Sequence, residues 1–145
     1  MRLLGVLAGV GLALTACGAE LRAAPPQSTA VISSPVGKSY LSVKLTENGE
    51  VKQLVPGTRI RLDFRDSGAL GFHAGCNQLG GLVSLDGGTL SMDAYGGTEV
   101  GCPARQTQEE WLARFLLDKP KWNLEADLLS ITTGGTTLTL QEVKE

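Results

Sequence analysis

Cys76 lies in AGCNQLGG (residues 74–81), three residues after His73, and Cys102 lies in TEVGCP (residues 98–103). A cysteine so placed can act as a nucleophile, bind a metal, form half of a disulfide or fill a small buried space. The nucleophile reading needs a base, and His73 is the chain's single histidine. Residues three apart on an extended strand point to opposite faces, so His73 and Cys76 do not form a pair. A zinc site needs about four ligands, and one histidine with two cysteines falls short. His73 therefore reads as a surface or cleft residue of a strand, with pH sensing or binding as its alternative use. No lysine or helix start follows Gly80-Gly81, so that pair reads as a turn and not as a phosphate loop. Asn77 reads as a turn residue too, because asparagine tolerates left-handed backbone and bonds nearby main chain; the alternative is an exposed ligand contact. No set of acid, base and nucleophile emerges, so the expectation is a non-enzymatic chain with no catalytic residue, cofactor or metal.

The elements that must position these residues read mainly as strands. The chain has 145 residues, enough for one domain, and 42% hydrophobic with 19% charged residues is ordinary for a globular protein. Its 19 glycines argue against a mainly helical fold and for turns between short strands. A formal charge of −2 without long like-charge runs gives no sign of nucleic-acid binding. In SYLSVKLT (39–46), Leu41, Val43 and Leu45 alternate with Tyr40, Ser42, Lys44 and Thr46, and the first set is expected to face inward. TRIRLDFR (58–65) places Ile60, Leu62 and Phe64 inward and Arg59, Arg61, Asp63 and Arg65 outward. Arg59, Arg61 and Arg65 thus form a possible surface for anionic headgroups or an acidic partner, or a solvated face neutralised by Asp63 and its neighbours. Further strands are expected at ALGFHAGCN, 82–85, 90–94, 128–132 and 136–143. Between Cys102 and Pro120, TQEEWLARFLLDKP reads as a helix with Trp111, Leu112, Phe115 and Leu116 on one face. Thr107 and Glu110 fit a capping box, Pro103 offers an earlier first-turn start, and Pro120 forbids continuation. The expected fold is α+β, mainly β: a curved antiparallel sheet or partly closed barrel of about seven short strands, with one amphipathic helix packed on it.

The first residues follow a different logic. MRLLGVLAGVGLALTAC has one positive residue, Arg2, then an apolar run of about a dozen residues, too short for a bilayer span and proportioned like a secretory h-region. Leu14-Thr15-Ala16-Cys17 resembles the bacterial lipobox, which implies a signal peptide over 1–16 and a lipidated Cys17 as the mature N-terminus. The resemblance further implies a diacylglyceryl thioether, with an acylated amine (palmitate-type chains) in many bacteria. Several chains give stable anchoring where one does not. The mature part would carry 12 basic and 15 acidic residues, net −3. Residues 18–36 hold three of the six prolines and no sustained period, so 17–37 read as a lipidated, flexible tether ahead of a domain over 38–145. Localisation follows as exported and lipid-anchored to the outer face of the cell membrane. Gly18 in place of aspartate does not resemble an inner-membrane retention signal, which would direct it to the outer membrane where the source has one.

AGCN..GG at 74–81, TEVGCP at 98–103, a helix with EEW..RFL and strands of the L.LTL type at the end resemble the META domain, the HslJ-like family, over roughly 38–143. The lipid-anchored, glycine-rich actinobacterial type is most similar. The resemblance implies a compact, mostly antiparallel sheet wrapped on one helix, in envelope proteins linked to stress or drug tolerance and, in some organisms, to secretion or motility. It implies no catalytic residue. Tyr40 stands where many members have tryptophan, and Val100-Gly101 replace a commoner Met-Ala; both read as packing changes.

With Cys17 lipidated, Cys76 and Cys102 remain, an even number outside the cytosol, where disulfides form. A Cys76–Cys102 disulfide is expected, with two separate buried thiols as the alternative. Two functions remain open. One is a non-enzymatic envelope lipoprotein that binds an unknown envelope protein or surface component and meets the membrane through its lipid. The other is a small-ligand carrier with a cavity between helix and sheet.

Overall fold

A computed structural model of the chain describes residues 23–24 and 33–144. The signal peptide, Cys17 and most of the tether expected from the sequence lie outside the described residues. The domain contains strands β1 (Lys38–Glu47), β2 (Glu50–Val51), β3 (Arg61–Phe64), β4 (Ala69–His73), β5 (Gln78–Leu82) and β6 (Gly96–Gly97). Helix α1 (Pro103–Leu117) follows, then β7 (Lys121–Glu125), β8 (Leu128–Thr133) and β9 (Thr136–Glu142). All pairings are antiparallel, in the order β6-β5-β4-β3-β1-β9-β8-β7, with β2 paired to β1. The sheet is open, not closed. A single bridge, Thr89 to Lys121, links the segment after β5 to the far edge strand.

Alternation dictates the inner face. Ile60, Leu62 and Phe64 are buried, as are Leu70 and Phe72 on β4, Leu129 and Ile131 on β8, and Leu138 and Leu140 on β9. β1 departs from its expected phase. Tyr40 and Ser42 are buried whereas Val43 is exposed, because a bulge between Ser42 and Lys44 shifts the register against β9 and returns Leu45 to the inner face only beyond it. The stretches 82–85 and 90–94 are also not the strands expected. Their pairing reduces to one bridge, Ser84 to Ser91, around a short 3-10 turn at Asp86–Gly88.

The helix begins at its earlier signal. Pro103 occupies the first turn after Cys102, where its missing N–H costs nothing, and the Thr107–Glu110 capping box is overridden because both residues lie inside the helix. Lys119 adopts a left-handed φ of 51° and Pro120 ends the run. Leu112, Ala113, Phe115 and Leu116 pack into the core, and Trp111 is half-buried at its margin, stacked on Phe115 with ring centroids 5.2 Å apart.

Candidate functional site

Two places on this frame bring polar chemistry together. The first is the corner after β4. Gly75 turns the chain with a φ of +104°, and Cys76 joins Cys102 in a disulfide with a Cα–Cα distance of 5.9 Å. An oxidised cysteine has no thiolate, so Cys76 cannot serve as a nucleophile in this form. His73 is half-buried and its Nδ1 accepts the Gly75 N–H at 3.3 Å.

Asn77 is the hub of the corner. Its Oδ1 accepts the Val100 N–H at 2.7 Å and the Thr98 hydroxyl at 3.0 Å. Its Nδ2 donates to the Val100 carbonyl at 3.2 Å and to Glu109 Oε1 at 2.8 Å, while its backbone N–H donates to Glu109 Oε2 at 2.5 Å. Glu109 is only 7% exposed, although it is a carboxylate on the core face of α1. Sequence reasoning missed it. The available signal was its phase, three, four and seven residues before Leu112, Ala113 and Leu116, where an acid needs a buried partner. Gln108 was missed as well: its Nε2 donates to the Thr58 hydroxyl and the Ala74 carbonyl, and its Oε1 accepts the Val55 N–H.

Asn77 lies between β4 and β5, but its backbone is not left-handed and its side chain bonds Thr98, Val100 and Glu109, far along the chain, in place of neighbouring main chain; Gly80 and Gly81 do not form a turn either. They lie within β5, where close approach of neighbouring backbone explains them. A Cβ on Gly80 would stand 2.9 Å from the Leu70 carbonyl oxygen, and one on Gly81 would overlap that of Ala94.

The second place is a groove of about 370 Å³ between the start of α1, the β1–β2 hairpin and the start of β9. Leu45, Val55, Ala104 and Trp111 give it apolar surface; Gln53, Thr107 and Thr136 give it neutral polar groups. Lys52 and Glu47, 3.4 Å apart, form an ion pair at its side. The helical residues share one stripe, 104, 107, 108 and 111, beside the stripe that enters the core. The space between helix and sheet, where the alternative carrier would hold its ligand, is occupied: Leu112 and Leu116 are fully buried among Ile60, Leu62 and Phe72 in a continuous apolar cluster.

The arginine row is less uniform than the sequence suggests. Arg61 Nε donates to both oxygens of Asp63, at 2.8 and 3.1 Å, whereas Arg59 and Arg65 are exposed with no ion pair among the described residues.

The model of the META domain matches residues 35–145. The chain belongs to the META domain family. Solved structures share the fold. One is an NMR structure of a protein from Burkholderia xenovorans, 23% identical, with a TM-score of 0.61 over 84% of this chain and 99% of that one. Another NMR structure is 19% identical, with a TM-score of 0.55 over 72% of this chain and 87% of that one. A crystal structure of a DUF4847 family protein from Bacteroides vulgatus is 12% identical, with a TM-score of 0.54 over 72% and 91%. A search of curated proteins returned no match. In this META domain two of the segments that carry the family resemblance, 74–81 and 98–103, are fastened together by the disulfide and Asn77.

Proposed function

We propose that this META protein is a non-enzymatic lipoprotein of the cell envelope, exported and held to the membrane by lipid on Cys17, whose domain binds a partner protein or surface component. Its role is tied to envelope stress or drug tolerance. The observation that carries the binding reading is the groove beside Trp111: an aromatic side chain left half-open at the margin of a filled core offers a rigid contact surface. The filled helix–sheet interface weighs against a carrier that encloses its ligand. The disulfide suits a compartment outside the reducing cytosol.

Two measurements test the reading. Cys17→Ala should release the protein from the membrane fraction or block its processing, and unchanged retention rejects the anchor. A photo-crosslinker at exposed Ala104, beside the groove, should capture a set of envelope components distinct from that captured by an unrelated lipoprotein; an identical set rejects the binding module.

A further inference from the structure

The composition of the Trp111 groove selects among occupants. Among the described residues, the Gln53 amide, the Thr107 and Thr136 hydroxyls and the Trp111 indole N–H make no hydrogen bond to protein, while the neighbouring Gln108 amide is fully committed. The charges at the side cancel, because Lys52 lies 3.4 Å from Glu47. The groove is therefore a rigid aromatic flank, braced by Phe115, ringed by uncommitted neutral donors and acceptors.

We infer that this groove binds a neutral glycan segment, with a sugar ring against the Trp111 indole and its hydroxyls bonded by Gln53, Thr107 and Thr136. The inference deepens the binding-module reading above and rests on it. A sugar ring offers a face of C–H groups to the electron-rich indole and a rim of hydroxyls to the amide and the threonines. A charged peptide or a phosphate headgroup finds no net countercharge here. An acyl chain would cover the polar groups without replacing their bonds to water, at a cost for each. The volume of about 370 Å³ falls at the small end of ligand sites and suits roughly one or two sugar rings.

The test uses the full-length protein carrying Trp122→Phe, which leaves Trp111 as its sole tryptophan. Maltotriose, cellotriose and triacetylchitotriose are titrated while Trp111 emission is followed. At least one should give a saturable shift in emission, and the added pair Gln53→Ala and Thr107→Val should weaken it about tenfold or more, with the melting temperature unchanged. No saturable response to any of the three overturns the glycan site, as does a response that the pair leaves unaltered. A saturable emission response to a lysine- and glutamate-rich peptide, with no response to sugar, overturns it in favour of a peptide. Loss of sugar response with envelope crosslinks retained removes the glycan site alone. A sugar response in a protein that is not in the envelope upholds the site and removes the envelope reading.

Discussion

At the scale of single residues, the stability of the corner depends on a carboxylate that is almost out of water. Glu109 offers both oxygens to Asn77, one to its backbone N–H and one to its side chain. Glu109→Gln replaces one acceptor with a donor and leaves an Asn77 N–H facing it, so it should destabilise the domain by about 1–3 kcal/mol. Urea unfolding measures this, and an unchanged midpoint would show that Asn77 finds another acceptor. Tyr40 presents the converse case, a fully buried hydroxyl with no partner among the described residues. Burial, then the nearby charge of Glu142, push its pKa from 10.0 up to about 12. Because the native state resists ionisation, this contribution is complete below pH 10 and is lost as pH rises from about 10 through 12. Tyr40→Phe should be neutral or stabilising at pH 7 and should flatten the fall in stability across that alkaline window, as read from denaturation midpoints at each pH.

At the scale of elements, the disulfide and the Asn77 bonds brace the same two segments. Replacing Cys76 and Cys102 by alanine opens a loop with a sequence separation of 26. The loss should be roughly 3.5 kcal/mol on the chain-entropy account. The double variant should still fold, with faster hydrogen exchange confined to 98–106; uniform acceleration through the sheet would show that the hydrogen-bonded brace does not stand without the bond between sulfurs. Gly81→Ala tests a different constraint. Its Cβ would overlap the Ala94 carbonyl oxygen, so the variant should lose about 1–3 kcal/mol, whereas Gly134→Ala, where the added atom meets open space, carries only the strain of its left-handed φ of 54°. Thermal melts of the pair compare crowding with backbone strain.

At the scale of the whole molecule, strand periodicity made much of the sheet readable. β3 was legible because its outward positions are charged and its inward ones are large and apolar. The first half of β1 was not, since a bulge reverses the faces and no residue type announces it. β7 was hidden by its composition: KWNLE carries one buried side chain, Leu124, and reads as a loop after Pro120. At the corner, cysteine count and export logic pointed to the disulfide, and turn chemistry pointed to Asn77. Glu109 and Gln108 depended on contacts 32 and 34 residues away, which local pattern does not encode. The strand order, too, lies beyond local pattern, because β9 pairs with β1 and separates it from β8. Deleting residues 136–145 should therefore abolish the fold and not merely trim an end, seen as loss of protease resistance and of dispersed amide signals.

That central pairing also sets the order in which the fold can close. β1 and its neighbour β9 lie far apart along the chain, with about a hundred residues between Tyr40 and its partner Glu142. Until β9 docks, the middle of the sheet has one unmatched edge. A product clipped ahead of β9 lacks the centre of its sheet and leaves the β1 edge open to proteases and to strands of other chains.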